Sequence, residues 1–191
     1  MAAKTLCDFA SVTAEQFCGE TLAGIANVAY IGFKGDLKAL PKFKTATETM
    51  ADFVNIESEP GFGFKEGKCF YKWEFTAETG QLTYSSNGQG KGFTQTFVMK
   101  LDRQDAEAAA LYRVMNNRKD IFILIPEGDH YVCIYDPDRN VKIDSGGIAG
   151  DSGTTPDSDN GVTITMTLPT IAPKTFYAGT VTTEPAPGSA A

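Results

Sequence analysis

A chain of 191 residues with 42% apolar and 21% charged residues holds enough apolar material for one folded domain and too much for a wholly disordered chain. A net charge of −7 disfavours a surface that grips nucleic acid, because phosphate contacts need clustered Lys and Arg. No run reaches the length of a membrane span or of a signal-peptide core, so the expectation is synthesis in the cytoplasm and no membrane association.

In chain order, "IANVAYI" (25–31) reads as a first strand. The polar stretch 32–50 follows, punctuated by Gly and Pro, and reads as a long excursion carrying Lys34, Lys38, Lys42 and Lys44 against Asp36 alone. Residues 52–57 read as a second strand. Residues 69–75 alternate, with Cys69, Tyr71, Trp73 and Phe75 on one face and Lys72 and Glu74 on the other. "TAETGQ" (76–81), with Gly80 in the left-handed region, is expected to turn the chain so that "QLTYSS" (81–86) pairs back. Residues 93–101 alternate again, with Phe93, Gln95, Phe97, Met99 and Leu101 on one side.

One helix is expected over about 103–117, capped by Asp102 and with Asp105 in the acid position of a capping box. Ala108, Leu111, Tyr112 and Met115 form the i, i+3, i+4, i+7 stripe that packs a helix onto a sheet. "IFILIPEGDHYVCIYD" then reads as a tight hairpin turning at "PEGD", with Pro126 ending its first strand. "DPDRN" (136–140) reverses the chain, and 144–161 reads as a polar loop. "GVTITMTL" (161–168) sets Val162, Ile164, Met166 and Leu168 against three threonines. Residues 184–191, small and Pro-rich, are expected to be a mobile tail.

Several short motifs carry the look of chemistry. "GDSG" (150–153) spells the nucleophile segment of a serine protease, yet that mechanism needs a histidine base and a buried aspartate in the order His, Asp, Ser, and the single histidine, His130, stands 22 residues before Ser152 and after the helix-capping Asp102. "DSDNG" misses the register of a calcium loop: counted from Asp157, glycine falls at the fifth position and Leu168 at the twelfth. "GQGKG" (88–92) leads into a strand, whereas a phosphate cradle must open a helix. Cys7, Cys18, Cys69 and Cys133 show no CxxC spacing, so neither a metal nor another cofactor is expected. Cys69 and Cys133 fall in apolar strand patterns and read as buried free thiols. No enzymatic reading survives.

The order of strands, one helix, a tight hairpin, a long Gly/Asp loop and an alternating strand fits a mainly β fold. That means a β-sandwich or barrel-like antiparallel sheets, flanked by one α-helix and joined by long inter-strand loops. "LYRVMNNRKDIFILIPEGDHYVCIYDPDRNVKI" followed by "GDSGTTPDSDNGVTITMTLP" resembles the major tail tube proteins of tailed bacteriophages over about residues 95–168. The resemblance implies a single tube-forming β domain over 1–183, with 1–24 as an N-terminal arm and 32–50 as an assembly loop. It further implies six-subunit rings stacked into the tail tube of a virion made in a bacterial host. The expected partners are copies of the chain and the tape-measure, terminator and baseplate proteins, with DNA passing through without specific binding and no catalytic residues. Related rings occur in injection systems.

Charge adds an expectation of its own. Segment 34–44 carries four lysines against one acid, and 127–159 carries eight acids against Arg139 and Lys142. Complementary charge fixes register between surfaces. Lys34, Lys38, Lys42 and Lys44 are therefore candidate inter-subunit contacts, with Asp151, Asp157 and Asp159 opposite; the other reading is two solvated loops. The competing function is a monomeric β-sandwich binding module, such as a capsid decoration or carbohydrate-binding protein, displaying Tyr71, Trp73 and Tyr84 as a stacking platform.

Overall fold

The computed structural model describes residues 25–44, 49–153 and 160–186. Among them the alternating segments become strands of two antiparallel sheets, neither closed into a barrel, so the mainly β expectation resolves to a sandwich. The five-stranded sheet holds β1 (Val28–Phe33), β2 (Tyr71–Glu74), β5 (Ile121–Glu127), β6 (His130–Ile134) and β9 (Thr175–Tyr177), in the order β2-β1-β5-β6-β9. The four-stranded sheet holds β3 (Gln81–Ser86), β4 (Phe93–Leu101), β7 (Ile148–Asp151) and β8 (Gly161–Thr170), in the order β3-β4-β8-β7.

The long alternations of β4 and β8 register from Phe93↔Thr170 to Leu101↔Val162. Gln95, Phe97, Met99, Val162, Ile164, Met166 and Leu168 all face inward and are buried, as their period of two requires. They meet Ala29, Ile31, Ile121, Ile123, Ile125 and Ile134 of the other sheet. Each of the apolar side chains among them, fully buried, stabilises the fold by about 1.5–3 kcal/mol.

β5 has a second apolar face. Phe122, Leu124 and, from β6, Cys133 point away from the sandwich into an aromatic cluster with Phe62, Phe64, Phe70, Tyr135 and Tyr177. Phe62 stacks on Phe122 with centroids 4.8 Å apart and meets the Tyr177 and Tyr135 rings edge-on at 4.8 and 5.0 Å. Residues 34–44 and 49–70 supply this cover. Isolated bridges Leu37↔Phe64 and Phe43↔Ile56 knit the layer, and Tyr135 donates its hydroxyl to the Pro41 carbonyl at 2.8 Å. The stretch expected as a free excursion is thus largely a third layer on its own subunit. The expected strand at 52–57 is a 3-10 turn, Met50–Val54. Asp52 accepts from the Thr49 backbone N–H at 3.1 Å and from its hydroxyl at 2.9 Å, closing a capping box instead of extending the chain.

Four further expectations are corrected. β2 and β3 do not pair: β2 joins β1, β3 joins β4, and the chain changes sheets where the Phe75 N–H bonds the Asn27 carbonyl and the Thr76 N–H bonds that of Lys100. Glu78 (φ 63°) takes the left-handed position in this crossing, while Gly80 is required because a Cβ there would lie 2.4 Å from the Phe75 ring. The polar loop 144–161 contains β7. The β5–β6 turn is only Gly128-Asp129, with Pro126 inside the strand opposite Tyr131 and Gly128 at φ +64°.

The helix, α1 (Ala106–Asn117), is capped by Asp105, not Asp102: Asp105 Oδ1 accepts from the Ala108 N–H at 2.8 Å. Ala108 and Met115 are buried and Tyr112 is half-buried, but Leu111 is 44% exposed, so the expected stripe buries only in part; Val114, outside that stripe, is exposed as well. Cys133 is buried as expected, whereas Cys69 is only half-buried. At the C-terminal end, Ala186 exchanges backbone hydrogen bonds with Gly67 and Lys68 and packs on the aromatic cluster, so the expected mobile tail is anchored as far as that residue.

Candidate functional site

Lys34 closes β1 and sends its ammonium across to the 136–140 turn. It donates to the carbonyl of Asp136 at 2.6 Å, to that of Arg139, and to Asn140 Oδ1 at 3.0 Å, with the Tyr135 ring 5.4 Å away. The buried Asp136 carboxylate shapes this cage by accepting from the Asp138 and Arg139 N–H groups, both at 3.0 Å. Burial holds the Lys34 pKa below its ordinary value of 10.5, against the opposing pull of Asp136, Asp138 and Asp120. A lysine of 34–44 and the acidic segment therefore do meet, within one subunit.

The other candidates divide. Lys44 pairs with Asp52 at 3.3 Å, again within the chain. Lys38 and Lys42 are exposed, and their ammonium groups have no partner among the described residues. Asp151 is exposed at the end of β7, its carboxylate accepting from the Gly153 N–H at 2.9 Å and its carbonyl from Gln104 Nε2 at 2.7 Å. Asp157 and Asp159 lie outside the described residues. Ser152 follows β7 at an edge of the four-stranded sheet. His130 sits on the other sheet, where its ring contacts Asp129, Glu127 and Phe176. Among the described residues no three His, Cys, Asp or Glu side chains cluster as metal ligands would.

Sequence reasoning missed the sheet edges, which differ in how they are protected. β2 carries the ion pair Lys72–Glu74 at 2.5 Å, and β9 is covered where the Ile56 N–H bonds the Phe176 carbonyl at 2.8 Å. β3 is six residues long, exposed almost throughout, and has no charge and no proline. The signal was present in "QLTYSS": it lacks every residue type that blunts an edge. Across the sheet, β7 is the other edge, with no strand paired to its outer side among the described residues.

The outer face of this sheet is rich in hydroxyls. Thr83↔Thr96↔Thr167 and Ser85↔Thr94 lie in register, with Thr163 and Thr165 continuing along β8. The three aromatics of the binding-module reading do not assemble: Tyr71 and Tyr84 stand on different sheets, and Trp73 is half-buried with its ring on Tyr112 at 6.3 Å. Compared with protein-family models, curated proteins and solved structures, the chain gives no match.

Proposed function

We propose that this chain is a structural subunit that assembles with copies of itself into six-membered rings, stacked as the tail tube through which phage DNA passes. The observation that carries the reading is the edge strand β3, without charge or proline, standing opposite the other edge strand, β7, in one sheet; among the described residues no strand pairs with the outer side of either. Pairing β3 of one copy with β7 of the next is a head-to-tail contact, which propagates and closes into a ring when the rotation between copies allows. The hydroxyl face satisfies polar groups without gripping phosphate, and the net charge of −7 repels DNA, as a conduit requires. Ring number, virion location and the tape-measure, terminator and baseplate partners come from the resemblance in sequence pattern.

Lys38 and Lys42 remain as ring-stacking contacts, because Lys34 and Lys44 are engaged within the subunit. Negative-stain microscopy and light scattering test the proposal: the purified protein forms rings or tubes, and Thr83→Lys with Ser85→Lys abolishes them while the circular dichroism spectrum is kept. A monodisperse monomer at high concentration would overturn it in favour of the binding module. Lys38→Glu with Lys42→Glu leaves single rings but shortens the tubes.

A further inference from the structure

The dipeptide Asn-Gly occurs twice in the chain, at 87–88 and 160–161, and the fold treats the two differently. In Asn-Gly a side-chain amide is open to attack from its own backbone, because glycine has no Cβ to shield the nitrogen that follows. The attack needs three things: a polarised side-chain carbonyl, a proton acceptor for the backbone N–H, and a backbone free to turn.

Asn87 has all three. It follows Ser86, the last residue of β3, in the exposed loop that leads to β4. The Thr94 hydroxyl donates to Asn87 Oδ1 at 2.9 Å and so draws electrons from Cγ. The Gly88 N–H donates to Ser86 Oγ at 3.2 Å, which places an acceptor against the nitrogen that attacks. Gly88, Gly90 and Gly92 all take positive φ, and a Cβ at Gly88 would meet nothing closer than Lys91 Cδ at 3.7 Å. At Asn160 the carbonyl also has a donor, Gln104 Nε2. Its glycine, however, is buried and paired with Asp151 in the β7–β8 ladder. A Cβ at Gly161 would lie 2.8 Å from Lys100 Cε and 3.0 Å from the Leu101 carbonyl oxygen. That nitrogen turns only when the strand ends open.

We propose that Asn87-Gly88 is a self-modification site, at which the chain converts its own side-chain amide to a carboxylate. The Gly88 nitrogen gives up its proton through Ser86 Oγ to water and bonds to Asn87 Cγ. The Cγ–Nδ2 bond then breaks, the departing nitrogen takes a proton and leaves as ammonia, and a five-membered succinimide remains. Water adds to either ring carbonyl and splits that carbon's bond to the Gly88 nitrogen, giving aspartate or isoaspartate. One water is consumed, one ammonia is released, and nothing is oxidised or reduced. Either product places a negative charge one residue beyond a strand that carries none, and isoaspartate adds a methylene to the main chain there. The age of a subunit is thus recorded beside the edge strand that has neither charge nor proline. This chemistry belongs to the single subunit, whether or not rings form.

Peptide mapping by mass spectrometry tests this on the folded wild-type protein, sampled during incubation in mildly alkaline buffer. The peptide holding Asn87 is expected to gain the mass difference between an amide and an acid at least about tenfold faster than the peptide holding Asn160. Two chromatographic products are expected, and an isoaspartate methyltransferase labels one of them. Urea frees both glycines and is expected to bring the two rates together. Thr94→Val, with its circular dichroism spectrum kept, is expected to slow Asn87 by at least about tenfold, since the donor on the carbonyl oxygen is gone. Asn87→Gln abolishes the change, because the longer side chain closes a less favourable ring. An unmodified Asn87, or equal rates at the two sites in the folded protein, would overturn the proposal. An unchanged rate in Thr94→Val would overturn the part given to its hydroxyl, and the wild-type comparison decides the site even if that variant does not fold.

Discussion

On one face of the five-stranded sheet, Ile121, Ile123 and Ile125 meet the regular inner face of β4 and β8. On the other, Phe122 and Leu124 meet an irregular layer of loops, bridges and 3-10 turns. The first face is covered by strands whose side chains repeat every two residues and so pack by register. The second is covered by segments with no repeat, and large rings do what register cannot: Phe62 alone touches Phe70, Phe122, Tyr135 and Tyr177. An aromatic side chain fills irregular space with few rotatable bonds, so a loop can be held as firmly as a strand.

Substitutions on adjacent β5 residues set the two faces against each other. Phe122→Ala removes the ring at the centre of the aromatic layer and is expected to cost about 3–5 kcal/mol, against about 0.5–1.5 kcal/mol for Ile123→Val on the sandwich side, both read from urea unfolding. Equal costs would mean that the irregular layer contributes little. Gly32→Ala probes the same layer from β1, because a Cβ there would lie 2.4 Å from Phe122 Cζ. The displaced ring is expected to cost about 1–3 kcal/mol.

Tyr135→Phe deletes only the bond to the Pro41 carbonyl and is expected to cost about 1 kcal/mol. Hydrogen exchange should then speed up at residues 37–44 and leave β4 and β8 unchanged. The smallest effect belongs to pH. Hydrogen bonds from Arg118, joined by the Gly35 N–H, hold the Asp120 carboxyl below its ordinary value of 3.8. Its contribution is therefore complete above that value and is lost as pH falls through the lower folded-state pKa. Asp120→Asn should flatten this acid limb of the stability curve and leave the neutral range parallel to wild type.

The sandwich was legible because β4 and β8 alternate over nine and ten residues and bury one face each. The aromatic layer was not, because Phe43, Phe62, Phe64 and Phe70 sit among glycines, lysines and prolines with no period to betray a shared partner. Pairing was legible only where a turn forced it, as at Gly128. The crossing at Phe75–Thr76 imitates a hairpin, since a turn sequence states that the chain bends and not which strand it joins. Of the candidate contacts, the charge pattern led to the lysine segment, but proximity in the fold decides whether a charge is spent internally, as Lys34 and Lys44 show. The bare edge of β3 was written in its composition as an absence, which periodicity does not detect.

The strand covered on both faces has a kinetic consequence. β5 is hydrogen-bonded to β1 on one side and β6 on the other, with Ile121 to Ile125 all buried. Water reaches its amides only when a facing layer and a neighbouring strand both leave. Exchange at Ile123 and Leu124 should therefore run at the rate of global unfolding, making these two amides an internal clock for the lifetime of the whole subunit.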